Sequence, residues 1–333
     1  MNRYQLGLIA GAGLIVAAAL FAASQSSAPS SSGRAPLAAT GGADPDLLAP
    51  DRRPAAPEFT GLAGWINTPP LTLASLRGQI VLVDFWTYSC INCVRTLPHL
   101  RSLHAAYGGR GLTIVGMHSP EFDFERSQPN VEAAVKRLHV TWPVALDSNM
   151  ATWNAYSNQY WPAEYLVDQQ GRVAYFHAGE GDYDRTERAI VSLLGENVAV
   201  APLPAASGDP GQTPELYAGS ARAQPGRIQL AGAWADHSDY VEATGAARVE
   251  LRFHAAEVYV VAESATGEPL AAAVTLDGQP LTDAQRGPDL GAGGTLTVGR
   301  SDLFHLLTNA RGSDHTIAVD VPKGFRLYTF TFG

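Results

Sequence analysis

Residues 81–100 read VLVDFWTYSCINCVRTLPHL and hold both cysteines of a 333-residue chain, Cys90 and Cys93. The run before them, QIVLVDFW at 79–86, is continuously apolar apart from one acid, which predicts a buried strand. The run after them spaces Val94, Leu97, Leu100, Leu103 and Tyr107 along one helical face, and GGRG at 108–111 stops it. Pro98 falls inside this helix and predicts a kink. Cysteines three residues apart close a very small loop, which restrains the unfolded chain little, so stability is not the main reason for the pair. A metal site would need two further ligands, and the nine histidines show no HxxxH-type motif. The spacing favours a redox pair over half a metal site or an incidental pair.

A strand that runs into two cysteines at a helix start has a chemical consequence. The first helical turn carries unpaired backbone N–H groups and a partial positive charge, which stabilise a thiolate. Cys90 is therefore expected to be the exposed nucleophile with a lowered pKa. Cys93, one turn further in, is placed to attack the mixed disulfide and close a Cys90–Cys93 disulfide. Tyr88 and Ser89 are expected to shape the exposure of Cys90, with Ile91 and Asn92 between the thiols. Asp84 faces a desolvation penalty inside VLVDFW, so its folded pKa should be raised. It stands six residues before Cys90 on the same strand, expected beneath the disulfide, and is a candidate acceptor for the Cys93 proton.

Further strands and helices follow. LTIVGMH (112–118) reads as a strand and NVEAAVKRLHV (130–140) as a helix capped by Asn130. WPVALD (142–147) reads as extended and MATWNAY (150–156) as a short helix, with Trp142 and Trp153 taken as core. AEYLVDQQGRVAYFHAG (163–179) reads as a hairpin, and a last helix covers 186–194 with Asp184 and Glu187 spaced as a capping box. The order predicts an α/β domain with helices on both faces of its sheet.

At the N-terminus, Arg3 precedes an apolar run from Leu6 to Ala23 and then a Ser/Ala/Pro/Gly stretch. That is the layout of an export signal or a membrane anchor, and the two stay open. Expected boundaries are a signal or anchor at 1–23, a disordered linker at 24–57, the α/β domain at 58–200, a Pro/Gly-rich linker at 201–214 and a second domain at 215–333. The second domain carries six or more alternating segments between Gly, Pro and Asp turns, which predicts an all-β sandwich that folds separately. Tyr328, Phe330 and Phe332 alternate and are expected to share a core face. A net charge of −9 with no basic cluster makes nucleic acid a poor partner.

VDFWTYSCINCVRTLP resembles the active-site segment of the thioredoxin superfamily, with Asp84 and Pro98 at the positions of its acid and proline. GWINTPPLTLASLRGQIVLVDFWTYSCINC, GMHSPEFDFE, NQYWPAEYLVDQQGRVAYFHAGEGDYDRTE and YTFTFG resemble exported TlpA-like thioredoxins, in particular the C-terminal region of DipZ proteins. The resemblance implies a thioredoxin fold, with a mixed sheet, followed by a β-sandwich similar to carbohydrate-binding modules. It also implies an exported thiol–disulfide oxidoreductase, leaning towards a reductase, in the periplasm or at the extracytoplasmic face of the membrane. Pro162 matches the cis-proline that faces the cysteines. Trp161 stands where thioredoxins usually carry threonine and is a candidate groove residue. His118, Glu121 and Glu180 fall in loops expected near the groove. The implied partners are cysteine-containing extracytoplasmic proteins and, as electron source, a separate membrane carrier of the DsbD/CcdA type. Glycan or protein contact is the implied role of the last domain; no cofactor or metal is implied. Two other classes stay open. A thiol peroxidase would usually need PxxxTxxC, where Thr87 is present but residue 83 is valine. A binding module would place the function in the last domain.

Overall fold

The structure is a computed structural model that describes residue 44, residues 46–196, residue 200, residues 211–310 and residues 314–333. The expected signal or anchor at 1–23 and most of the linker at 201–214 lie outside the described residues. Among the described residues, no helix is long and apolar enough to cross a membrane. Two compact units are present. One takes the residues up to Trp86, Pro98–Ser119 and those of 141–203; the other takes Thr87–Leu97, Pro120–Val140 and those of 204–333.

The first unit is built on six strands: β1 (Gly64–Ile66), β2 (Ile80–Trp86), β3 (Leu112–His118), β4 (Val144–Leu146), β5 (Ala163–Val167) and β6 (Val173–Ala178). Their order is β1-β4-β3-β2-β5-β6. β2, β3 and β4 run parallel, while β1, β5 and β6 pair antiparallel, giving the mixed sheet of the thioredoxin fold. All seven residues of β2 are buried, which is why its sequence is continuously apolar instead of alternating. The helices along the chain are α1 (Ile91–Tyr107), α2 (Gln128–Arg137), α3 (Ala151–Ala155) and α4 (Tyr183–Leu194). α3 packs Trp153 against Phe85 on one face of the sheet, while Thr186 of α4 bonds to Glu164 on the other. Trp142 and Trp153 are both buried, as expected of core residues.

Three local expectations are corrected. Asn130 does not cap α2, which starts at Gln128 with Pro129 in its first turn; the Asn130 amide donates to the Phe124 carbonyl instead. α4 starts three residues earlier than expected, after Asp182 in a left-handed conformation and with no side-chain cap. Asp184 and Glu187 bond instead to Arg188 and the Tyr107 hydroxyl. Finally, residues 46–57, expected within a disordered linker, lie along β6. Leu48 N–H donates to Ala174 O, Val173 N–H to Pro54 O and Ala56 N–H to Gly171 O, at 2.8–3.0 Å. β6 ends the sheet order, and these bonds cover its open edge.

The second unit contains a ten-stranded antiparallel sheet. Its strands are β7 (Leu216–Tyr217), β8 (Ile228–Asp236), β9 (Val241–Phe253), β10 (Val258–Ser264), β11 (Leu270–Leu276), β12 (Gln279–Pro280), β13 (Thr295–Val298), β14 (Asp302–Leu307), β15 (His315–Val321) and β16 (Phe325–Phe332). The all-β expectation holds, realised as one connected sheet around a core that includes Leu251, Phe253, Ile317, Leu327 and Phe330. Three strands without a clear sequence signal are short or weakly buried: β7 and β12 have two residues each, and β8 is largely exposed. One register detail reverses an expectation. β10 and β16 slip between Val261 and Ala262, opposite Thr329 and Leu327, so Tyr328 is the extra residue of a bulge. Phe330 and Phe332 enter the core, while Tyr328 turns away to pack on Phe122 and Phe124.

Candidate functional site

The cysteine segment starts where β2 ends. Val94 N–H donates to the Cys90 carbonyl at 3.0 Å, the first bond of the α1 ladder, so Cys90 occupies the capping position of that helix. Cys93 N–H donates to Cys90 Sγ at 3.3 Å, the bond that a capping oxygen would accept. A sulfur held there gains most from the helix start when it is negative. Cys90 is half-buried and Cys93 is fully buried. Between them, Asn92 is exposed and Ile91 is buried. Tyr88 is only 1% exposed, with its ring 6.0 Å from that of Phe124. Tyr88 and Ile91 are therefore packed residues and do not form an open substrate surface. Burial pushes the Tyr88 phenol well above its ordinary range, which keeps it neutral.

Glu125 holds the strand-to-helix turn in place, and it was not singled out in the sequence. Its carboxylate is fully buried and accepts four bonds. Thr87 and Ser89 donate their hydroxyls to Oε1, and Glu121 and Phe122 donate their N–H groups to Oε2. Burial pushes its pKa up to about 7, against the lowering effect of the Ser89 and Thr87 hydroxyls. Its only sequence signal is an acid after the apolar Phe122 and Phe124. Glu121 is not a solvated loop acid either: it accepts from the Tyr217 hydroxyl and from Arg222, each at 2.7 Å.

In the first unit, Asp84 is fully buried, and neither carboxyl oxygen has a hydrogen-bond partner. Burial first, and then the Glu164 carboxyl, raise its pKa well above the ordinary range, the direction expected from the sequence. Glu164 is the register partner of Asp84 across β2 and β5. It is 3% exposed and accepts from Thr186 Oγ1 at 2.8 Å. The Trp161–Pro162 peptide is cis, and Pro162 is buried. Trp161 is half-buried; its Nε1 donates to Ser119 O at 2.9 Å and its ring lies 4.1 Å from that of Trp153. The neighbouring Tyr160 is 44% exposed. His118 is 1% exposed and edge-on to Trp86, and burial pushes its pKa down to about 3. It is thus a neutral core residue, not an open loop histidine. Glu180 is half-buried between β6 and α4. Among the described residues, no three His, Cys, Asp or Glu side chains gather in a group that could hold a metal ion.

This geometry agrees with what the chain resembles. Residues 53–176 match the AhpC/TSA family, and residues 205–333 match the family described as thioredoxin like C-terminal domain. Protein DipZ of Mycobacterium tuberculosis is 35% identical over 314 residues, which cover 84% of this chain and 43% of DipZ. The chain is a homologue of thioredoxin-like thiol–disulfide oxidoreductases. A smaller relative, the thiol-disulfide oxidoreductase YkuV of Bacillus subtilis, is 26% identical over 140 residues, covering 42% of this chain and 94% of YkuV. Among solved structures, a thioredoxin-family thiol:disulfide interchange protein from Chlorobium tepidum aligns at 25% identity and a TM-score of 0.38, over 44% of this chain and all of that one. The oxidoreductase homologue thus spans less than half the length of DipZ and nearly the whole of YkuV.

Proposed function

We propose that the chain exchanges disulfides with cysteines of other proteins outside the cytoplasm, acting as a reductase. The observation that carries this reading is the asymmetry of the thiols: Cys90 is accessible at the helix start and accepts the Cys93 N–H, while Cys93 is fully buried. Cys90 attacks the substrate disulfide, and Cys93 then attacks Cys90 Sγ and releases the reduced substrate. Asp84, buried without a partner, accepts the Cys93 proton. Pro162 and Trp161 serve substrate binding, and so does Asn92, exposed between the thiols. Electrons come from a separate membrane carrier of the DsbD/CcdA type. The N-terminal apolar run directs export, and the all-β region adds contact with glycan or protein.

The test is trapping. Cys93→Ser should accumulate mixed disulfides with exported proteins, and Cys90→Ser should not; equal trapping by both would reject the roles. A glutathione redox titration fixes the direction of electron flow. The peroxidase reading is weaker, because the Thr87 hydroxyl is committed to Glu125. Peroxide consumption by the purified protein, absent on our reading, would revive it.

A further inference from the structure

Two acids of the second unit, Glu121 and Glu215, meet at one phenol. Tyr217 Oη lies 2.7 Å from Glu121 Oε1 and 2.9 Å from Glu215 Oε2. Burial keeps the Tyr217 hydroxyl protonated. A phenol has one hydrogen to give, so it donates to only one of the two carboxyls. At the other contact the carboxyl carries the proton and donates to the phenol oxygen.

The surroundings decide which acid that is. Arg222 donates to the same Glu121 Oε1 at 2.7 Å, and its guanidinium lies 3.8 Å from the centre of the Tyr217 ring. The negative charge therefore sits on Glu121, beside the cation. Glu215 faces the Glu121 carboxylate, Arg222, Tyr217 and, from β16, the Thr329 hydroxyl. Burial first, and then Glu121, push its pKa up to about 7, against the lowering effect of Tyr217, Arg222 and Thr329. The bonds thus run in one direction, from Glu215 through Tyr217 to Glu121.

Glu121 leads on to the thiols within the same unit. Its N–H and that of Phe122 donate to Glu125 Oε2 at 2.6 and 3.0 Å, and the Phe122 ring centre lies 4.8 Å from the Arg222 guanidinium. Glu125 Oε1 accepts the hydroxyls of Thr87 and Ser89, in the segment that runs into Cys90. At Cys90, Sγ accepts the Cys93 N–H at 3.3 Å, a bond that a small shift of the turn weakens.

We infer that Tyr217 is a positioning residue for Cys90: with Glu215 it fixes Glu121, and through Glu125 it holds the turn that presents the nucleophile. The all-β region is thereby part of the reactive centre. The inference rests on the proposed exchange reaction, in which Cys90 is the attacking thiol. The clasp is complete while Glu215 keeps its proton and is lost as pH rises through about 7. Above that pH two carboxylates face one hydroxyl, and one of these contacts has no hydrogen.

The experiment uses the reduced full chain carrying Cys93→Ser, so that Cys90 is its only thiol, and follows alkylation by iodoacetamide. The Cys90 thiolate displaces iodide, and the new S–C bond is read by mass. Y217F keeps the ring and removes the hydroxyl. Below pH 7 it should slow alkylation on the order of fivefold, the worth of one capping bond. E215Q donates an amide N–H to Tyr217 at every pH, so its rate should equal the parent's below pH 7 and exceed it above. Glu125 titrates over the same range, so the readout is the ratio of variant to parent at each pH. Amide exchange at Glu121 and Phe122 should quicken in Y217F. A hydroxyl that only adds stability would leave the alkylation rate where it was. Unchanged alkylation of folded Y217F therefore rejects the inference, and so does an E215Q ratio that stays flat with pH. Slower alkylation with unchanged exchange at Glu121 and Phe122 rejects the route through Glu125. If Y217F does not fold, the E215Q ratio decides alone. A parent chain that alkylates at Cys90 yet releases no coloured thiolate from a small aromatic disulfide would instead reject the exchange reading itself.

Discussion

Asp84 and Glu125 are both fully buried acids, one six residues before Cys90 and the other bonded to the residues that lead into it, yet their surroundings are opposite. Glu125 accepts four hydrogen bonds, two from hydroxyls and two from N–H groups. Asp84 accepts none. A buried acceptor with all its lone pairs in use is a structural anchor, because protonation or removal disturbs every donor around it. A buried carboxyl without partners adds nothing to packing that a neutral side chain could not, which is why the proton-accepting role is proposed for Asp84 and not for Glu125. Equal burial therefore marks two different jobs, and the bonding tells them apart.

The largest expected effect comes from a chain ending at Ala205. It removes Tyr217, Arg222 and Tyr328, which hold Glu121, Phe122 and Phe124 next to Glu125. Amide exchange should show residues 121–125 losing protection, while Val83 and Asp84 keep the strand partners of the first sheet. Equal protection in both chains would break the link between Glu125 and the all-β region.

Glu125→Ala leaves four donors without an acceptor and should destabilise by about 3 kcal/mol or more, read from the urea midpoint. Glu125→Gln should be far milder, since its amide can donate to the two hydroxyls while its oxygen accepts the two N–H groups. The parent's pH dependence has a defined sign. A folded pKa of about 7 lies above the ordinary 4.5, so the native state holds this proton longer than the unfolded chain. The stability from this group is complete below pH 4.5 and is lost as pH rises through about 7. Glu125→Gln should flatten that slope.

Asp84→Asn should go the other way and stabilise at neutral pH, because burial penalises the ionised carboxyl and a neutral amide escapes that penalty. The Asp84 contribution is greatest below about pH 3.9 and falls as pH rises towards its raised folded value. The same variant should release the mixed disulfide more slowly. Lower stability with normal release would make Asp84 structural, like Glu125. The smallest effect is expected of Asn92→Ala, whose side chain is exposed; a stability change within about 0.5 kcal/mol gives the baseline.

Much of this was legible along the chain. The unbroken apolar run of β2, the cysteine pair at the start of α1, the hairpin after Pro162 and the alternating segments beyond residue 215 are local periodicities, and local periodicity is what a linear pattern records. The raised pKa of Asp84 was legible too, because an acid inside a fully buried strand has nowhere to find water. The tertiary structure alone brought Glu125 to the Thr87 and Ser89 hydroxyls, 38 and 36 residues away, and set Glu164 beside Asp84 and His177. It also decided that His118 is a neutral core residue and that a bulge turns Tyr328 out of the face shared by Phe330 and Phe332. The physical reason is common to all four. Strand register, bulges and long-range hydrogen bonds depend on which distant segment lies alongside, and a slip of one residue reverses every side chain that follows.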